Sequence, residues 1–321
     1  MYSKELFMSK NDLWVEKFRP KTLADYVWSS KDQQTQVQAW VKEGKIPHLL
    51  LVGSPGVGKT SLAFMLMDLL GVDKSDIKFV NGCVDNGIDV VRDLENFVST
   101  MPMGDYRYVL IDEFDYFSPN GQAGLKNMME TYSGAARFVF TANLSHKIIP
   151  PIKSRCQTFE IQSVDRDLYF ERIATILVEE GVNLDETNLS ILDDYVAVAY
   201  PDLRKCINML QQNCVAGVLK RPGGDTVAGN SEYQVQAVSL FKQGKITDAR
   251  KLISGKVQPN EYEEFYRLLY RNLDWWGNTD KTQNAAIVII ANRLRDHSIA
   301  ADPEINMSAC LVELAMIQEG A

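Results

Sequence analysis

Short apolar runs alternate with helix-length segments between residues 45 and 160. Each run is rich in branched and aromatic residues, and the segments between the runs carry apolar residues at helical spacing. The runs are His48–Val52, Ile77–Val80, Tyr108–Ile111, Arg137–Thr141 and Thr158–Ile161. Strands that are joined through helices pair in parallel. The pattern therefore predicts an α/β domain over residues 1–162, with a parallel sheet flanked by helices.

The pattern becomes wholly helical after residue 162. Apolar residues at helical spacing predict a small helical domain over residues 163–222. A segment rich in glycine and polar residues, 220–230, predicts a linker, and residues 231–321 predict a second all-helical domain. Aromatic side chains that lie close together in this last part can either fill the core of a bundle or form a subunit interface. They are Tyr262, Phe265, Tyr266, Tyr270, Trp275 and Trp276.

A glycine-rich loop follows the first predicted strand and leads into a predicted helix that starts at Ser61. Residues 53–60 read Gly-Ser-Pro-Gly-Val-Gly-Lys-Thr, and the glycines let successive backbone N–H groups point inward and hold phosphate. In such a P-loop the lysine reaches the β- and γ-phosphates and the threonine hydroxyl ligates Mg²⁺. A chance glycine-rich turn would not need a strand before it and a helix after it. The predicted ATP-binding residues here are Gly56, Val57, Gly58, Lys59, Thr60 and Ser61.

Carboxylates stand at the end of the third predicted strand. Asp112 can hold the Mg²⁺ shell together with Thr60. Glu113 is placed to orient and polarise the attacking water, because phosphoryl transfer depends mainly on positioning and charge. Asn143 follows the next strand, where its amide can contact both the γ-phosphate and the water. Alone, an acidic strand end or a turn asparagine is a common surface feature, but the P-loop upstream favours the catalytic interpretation.

The composition excludes several other classes of protein. The chain has 321 residues, a net charge of −8 and five cysteines without a C-x-x-C pair, which argues against a zinc ribbon and against a secreted disulfide framework. The negative charge disfavours a simple nucleic-acid coat protein but leaves room for a local DNA surface. Without a signal peptide or a bilayer-length apolar run, the sequence predicts a soluble cytoplasmic protein with no membrane contact.

In five segments the chain resembles the AAA+ clamp-loader ATPase subunits, which include the replication factor C small subunits and the large subunits of phage sliding-clamp loaders. These segments are Trp14–Leu23, the P-loop, Asn81–Arg92, Asp112–Asp115 and Ser154–Cys156. The resemblance implies an AAA+ module followed by a helical lid and a helical collar. It also implies a DNA-stimulated ATPase that loads a ring-shaped sliding clamp onto primer–template DNA, and the phage-type layout implies four copies of the chain around one different small subunit. A phage-encoded chain would work in the host cytoplasm.

The resemblance also assigns roles to residues outside the P-loop. Arg155, in Ser-Arg-Cys, resembles the arginine finger that enters the ATP site of the neighbouring subunit. Arg204 resembles a second sensor, which reaches the γ-phosphate of its own chain from the helical lid. Backbone and apolar groups of the N-terminal arm resemble an adenine pocket, with a purely structural arm as the alternative. The residues in this pocket are Val15, Glu16, Lys17, Phe18 and Val27.

DNA and clamp contacts are implied in the same way. The residues that match the DNA-contacting helices of the family are Ile88, Arg92, Gln122 and Lys126. The chain departs from the family at Leu125–Asn127, where paired arginines are usual, and at Asp85–Gly87, where a basic residue is usual. The clamp would meet Phe97, Met101 and Met103, with a core position for Phe97 as the alternative. The rival interpretations are a catalytically silent scaffold subunit and another AAA+ DNA machine, such as a helicase loader or branch-migration motor.

Overall fold

A computed structural model describes residues 13–215, 217–221, 232–258 and 261–319. The described residues form two compact units. One contains those up to Arg172 together with Pro201–Lys205, and the other contains Ile173–Tyr200 and those from Cys206 onward. Most of the predicted linker, residues 222–230, lies outside the described residues, and the division of the chain into three domains stays a prediction.

A five-stranded sheet forms the centre of the first unit, in the order β2-β3-β4-β1-β5. Its strands are β1 Leu49–Gly53, β2 Ile77–Asn81, β3 Arg107–Asp112, β4 Ala136–Ala142 and β5 Gln157–Ile161. All four pairings are parallel, so the predicted α/β class is confirmed. Because β4 lies between β1 and β3, the carboxyl ends of these three strands meet at one edge of the sheet.

Helices cover both faces of this sheet. The helices that begin in this unit are α1 Trp14–Lys17, α2 Lys31–Glu43, α3 Lys59–Leu69, α4 Ile88–Val98, α5 Pro119–Thr131, α6 Pro150–Lys153 and α7 Arg166–Glu179, the last of which ends in the second unit. Short 3-10 turns lie at Lys74–Asp76, Phe114–Tyr116 and Ser145–Lys147. The start of α5 is fixed by its local sequence. Ser118 caps this helix by accepting a hydrogen bond from the Gly121 N–H at 3.1 Å, and Pro119 occupies its first turn.

The central strands are apolar along their whole length because each face of the sheet is covered. In β1, Leu50 packs with residues of α4 and α5 in one apolar layer. Its neighbours Leu49 and Leu51 pack with α2 and α3 in the other layer. All three leucines are fully buried. The strands whose carboxyl ends carry the polar motifs are therefore held between two packed apolar layers.

The second unit is helical apart from a two-stranded antiparallel ribbon, β6 Cys214–Val215 with β7 Val218–Leu219. Its helices are α8 Glu186–Ala199, α9 Leu203–Asn213 (which begins in the first unit), α10 Glu232–Lys242, α11 Ile246–Lys256, α12 Tyr262–Arg271, α13 Asp280–His297 and α14 Pro303–Glu319, with a 3-10 turn at Leu273–Trp276. Within the described part of the chain, no helix has both the length and the apolar character that a bilayer span requires.

Most of the clustered aromatic residues belong to the core of this second unit. Tyr262, Phe265, Tyr266, Trp275 and Trp276 are buried within the chain. Tyr270 alone among the six is exposed. The interpretation of the cluster as a bundle core is therefore correct for five of its members, and only Tyr270 is placed for contact with another molecule.

Candidate functional site

The P-loop joins the end of β1 to the start of α3 in a conformation that requires glycine. Gly56 and Gly58 have φ values of 75° and 95°, which side chains rarely adopt. There is also no room for a side chain, because a Cβ on Gly56 would overlap the Asp202 carboxylate and one on Gly58 would lie 3.2 Å from the Tyr26 ring. No described side chain caps the N-terminus of α3, so its first N–H groups can face an anion.

Lys59 links the P-loop to the end of β4. Its ammonium group donates hydrogen bonds to the carbonyl oxygens of Gly53 and Ser54, at 2.9 and 2.7 Å. A third bond, of 2.8 Å, goes to Oδ1 of Asn143. The predicted phosphate-binding lysine and the predicted γ-phosphate sensor are therefore neighbours, although 84 residues separate them in sequence.

Charged groups surround this lysine. Burial lowers the pKa of Lys59, and the nearby carboxylates of Asp112, Asp115 and Asp202 oppose that effect. The positive charge of Arg204 lowers the same pKa further. Arg204 is thus within electrostatic range of Lys59. Its side chain is exposed, and its contact with the nucleotide stays a prediction.

The two predicted metal ligands are in direct contact. The Thr60 hydroxyl donates to Oδ1 of Asp112 at 2.7 Å. A second hydroxyl, that of Thr141 on β4, donates to the same oxygen. The Thr141 oxygen also accepts a hydrogen bond from the backbone N–H of Glu113 at 3.0 Å. Sequence reasoning missed Thr141. The feature that could have identified it as a site residue is its position two residues before Asn143, because side chains two positions apart in an extended chain point to the same side.

Glu113 is the only non-glycine residue with positive φ, 54°, in the described ranges. Such backbone strain is usual at functional sites. The backbone of Glu113 leaves no room for a side chain at Gly82, which follows β2, because a Cβ there would lie 2.5 Å from the Glu113 carbonyl oxygen. The side chain of Glu113 raises the pKa of the adjacent Cys83 thiol to about 11. The residue predicted to orient the water is thus held through its backbone.

A buried aspartate fixes the turn that carries Asn143. The carboxylate of Asp115 accepts hydrogen bonds from the backbone N–H groups of Asn143 and Leu144, each at 3.2 Å. Asp115 was part of the recognised acidic segment, but no role was predicted for it. Its contacts connect the acidic segment after β3 to the end of β4.

The N-terminal arm packs beside the P-loop and α3. The Tyr26 hydroxyl lies 3.5 Å from the carbonyl oxygen of Val57, and the Arg19 guanidinium lies 5.9 Å from the centre of the Phe64 ring on α3. This arm contains the residues predicted to hold adenine. Their location is compatible with that role, which stays a prediction.

Arg155 lies at the opposite edge of the sheet from the P-loop. It lies two residues before β5 and therefore at the amino end of that strand, whereas the P-loop follows the carboxyl end of the parallel strand β1. A strand of five residues is roughly 16 Å long. Arg155 also lines a cleft of about 560 Å³, with Lys45, His48 and Arg137. The structure therefore brings the other catalytic candidates together but leaves Arg155 outside them.

Comparison with known proteins identifies the family. Residues 49–163 match the model of the ATPase family associated with various cellular activities (AAA). The chain is 32% identical to the replication factor C small subunit of Aeropyrum pernix over 320 aligned residues. The alignment covers 95% of this chain and 96% of that protein. The chain belongs to the replication factor C small-subunit family. It is a nucleotide-binding ATPase subunit of a clamp loader, as the resemblance implied.

Other relatives agree with this membership. The replication factor C small subunit of Methanoculleus marisnigri is 38% identical over 204 residues, which are 62% of each chain. Among solved structures, the T158V variant of RuvB from Thermotoga maritima matches with a TM-score of 0.54 at 17% identity, over 91% of both chains. At that identity the RuvB match shows a shared fold alone.

In this replication factor C family member, three of the four predicted DNA contacts lie at the surface of α4 and α5. Ile88 begins α4, and no described side chain caps that helix. Arg92, one turn later, forms an exposed ion pair with Asp89 at 2.9 Å. Lys126 on α5 lies 3.9 Å from Glu130. These residues can reach a phosphate backbone, and their DNA contacts stay predictions.

Gln122 contradicts the expectation of a side-chain contact with DNA. It is only 2% exposed, and its Nε2 donates to the carbonyl oxygens of Phe117 and Lys147, each at 3.1 Å. Its Oε1 accepts from the N–H of Ile149 at 2.9 Å. The amide is used inside the protein, where it ties α5 to the segment that follows β4.

The predicted clamp contacts divide into two kinds. Phe97 packs against the apolar layer under α4 and α5, and the Arg107 guanidinium lies 4.9 Å from its ring centre. The core alternative is therefore correct for Phe97. Met101 is 91% exposed and Met103 is also exposed, and their contact with the clamp stays a prediction.

Proposed function

We propose that this clamp-loader subunit hydrolyses ATP in a Mg²⁺-dependent reaction that primer–template DNA and a ring-shaped sliding clamp stimulate together. ATP binding arranges the subunits in a spiral that opens the clamp, and hydrolysis releases the clamp onto DNA. The observation that carries this proposal is the convergence of Lys59, Thr60, Asp112 and Asn143 in two connected hydrogen-bonded contacts at one sheet edge. Their convergence supports a catalytic subunit rather than a silent scaffold.

The oxygens at this edge fit Mg²⁺. Oγ1 of Thr60 and Oδ1 of Asp112 are hard donors that already lie 2.7 Å apart, and Mg²⁺ prefers such ligands together with phosphate oxygens. When bound, Mg²⁺ would neutralise phosphate charge. Lys59 then contacts the β- and γ-phosphates, Glu113 orients the attacking water, and Asn143 contacts the γ-phosphate and that water.

The opposite location of Arg155 supports an active site shared between chains. A guanidinium at the amino edge of the sheet cannot contact the P-loop of its own chain without crossing the sheet, but it can contact a nucleotide on a neighbouring subunit. We therefore assign Arg155 as the arginine finger of the next site. In the proposed assembly, four copies of this chain surround one different small subunit, and the complex binds the clamp and DNA.

Phosphate release in the presence of clamp and primed DNA tests the proposal. We expect the two together to stimulate turnover more than either does alone. Arg155→Ala should reduce stimulated turnover about 10³-fold or more with nearly unchanged ATP binding. Lys153→Ala, which removes a positive charge from the same turn, should change turnover little.

Two results would contradict the proposal. Absence of phosphate release under every condition would favour the scaffold interpretation. Stimulation by neither clamp nor DNA, with no clamp binding, would favour another AAA+ machine.

A further inference from the structure

The Arg155 side chain is held on its own chain at three points, the weakest of them a 3.4 Å hydrogen bond from Nη1 to Oγ of Ser154. Nη1 donates to the carbonyl oxygen of Pro151 on α6 at 2.7 Å. Nη2 forms an ion pair with the carboxylate of Glu130, in the last turn of α5. The arginine side chain nevertheless remains 31% exposed, so the guanidinium is oriented by its own chain while it is open to another molecule.

Such an arrangement suits a cation that acts in trans. Electrostatic stabilisation is strongest when the charge is in place before the transition state forms, because no reorganisation is then needed. A free arginine side chain samples many rotamers and loses that entropy when it docks. The contacts with Pro151 and Glu130 have already restricted those rotamers, and the guanidinium has further N–H donors for a phosphate.

We infer that Glu130 is a positioning residue for Arg155, which orients the guanidinium for the nucleotide of the neighbouring subunit. This inference rests on the proposed role of Arg155 as a finger in trans. Glu130 itself does not contact the nucleotide. It acts through Arg155, and its removal leaves a flexible cation that reaches the neighbouring site less often.

A structural role for Glu130 predicts a different outcome. The side chain of Glu130 is 47% exposed, and ion pairs with that much solvent access contribute little to folding stability. Lys126 is the other cation near this carboxylate, at 3.9 Å, and it is also on the surface of α5. Loss of Glu130 should therefore leave the fold stable, so a change in turnover reports on the position of Arg155.

Glu130→Gln tests the inference in the assembled complex, with saturating clamp and primed DNA. We expect kcat to fall about tenfold, a part of the roughly 10³-fold or larger contribution of a finger in trans. The KM for ATP and the thermal midpoint should stay near those of the unmodified protein. Glu130→Asp should recover part of the rate, and Glu186→Gln, at an exposed position on α8, should have no effect.

The double variant with Arg155→Ala separates this inference from the proposed function. In that background Glu130→Gln should cause no further loss. If Arg155→Ala alone keeps normal turnover, the finger assignment fails and the inference fails with it. If Arg155→Ala is inactive but Glu130→Gln has full or increased turnover, the finger stands and the positioning role is refuted. An equal additional loss in both backgrounds would also refute it.

Discussion

Replacement of Gln122 by alanine should destabilise the protein although the residue is polar and lies on a helix. Its side chain makes three hydrogen bonds, to the carbonyl oxygens of Phe117 and Lys147 and to the N–H of Ile149. With 2% exposure, water cannot easily replace these partners. The substitution therefore takes one hydrogen-bond partner from each of three backbone groups.

The expected magnitude follows from these contacts. One hydrogen bond contributes about 1 kcal/mol on average, and an unsatisfied buried group costs about 1–3 kcal/mol. Gln122→Ala should therefore reduce the free energy of unfolding by about 3 kcal/mol. Urea denaturation followed by circular dichroism measures this change. Asn127→Ala, which removes an exposed amide from the same helix, is the matched control and should change stability by less than about 0.5 kcal/mol.

The result that would refute this reasoning is a Gln122→Ala protein as stable as the Asn127→Ala control. DNA binding supplies the second measurement. Loss of a direct hydrogen bond to phosphate lowers DNA affinity, whereas loss of a buried structural amide should leave the DNA affinity of the folded protein unchanged. A stable variant with reduced DNA affinity would therefore restore Gln122 as a DNA contact.

Three further substitutions test other parts of the site. Gly56→Ala should weaken ATP binding in a nucleotide titration and lower stability by about 1–3 kcal/mol, because φ is positive and the new methyl group would overlap Asp202. Thr141→Val should lower kcat about tenfold with little change in ATP affinity, since it removes a hydrogen bond worth about 1.5 kcal/mol from Asp112, and Thr141→Ser should restore the rate. Burial, and then the charge of Arg137, lower the pKa of His48 from 6.5 to about 4. Between those values the unfolded chain binds a proton that the folded chain does not, so stability falls as the pH decreases. His48→Asn should lose less stability between pH 7 and pH 5, as measured by urea midpoints.

The sheet and the main polar motifs were predictable because both are local in sequence. Each strand is a short apolar run between breakers, and the P-loop and the Asp112–Glu113 pair are contiguous. Parallel strands place their carboxyl ends at one edge, which was enough to expect Asn143 near Lys59. These predictions depend on strand periodicity and on the direction of the strands, not on side-chain packing.

The remaining residues could not be predicted because their roles depend on tertiary neighbours. Thr141 is a typical strand residue until β4 is known to lie beside β3. In the sequence Gly82 looks like an ordinary turn glycine. Its role is evident only from the structure, in which its backbone lies close to the Glu113 carbonyl oxygen. Gln122 follows a helix cap, where most polar side chains face solvent. In each case the informative fact is which segment packs opposite the residue.

Helix α5 connects these tertiary contacts with the proposed shared site. Its capping residue Ser118 hydrogen-bonds to the carbonyl oxygen of Asn86, just before α4. Its second turn is tied through Gln122 to the segment after β4, and its last turn pairs Glu130 with Arg155. A helix is stiff, so a displacement at one of these contacts moves the others. In the proposed assembly, the loop that precedes a DNA-contacting helix and the finger that serves the next ATP site therefore move as parts of one element, which gives DNA binding a physical route to hydrolysis on the neighbouring subunit.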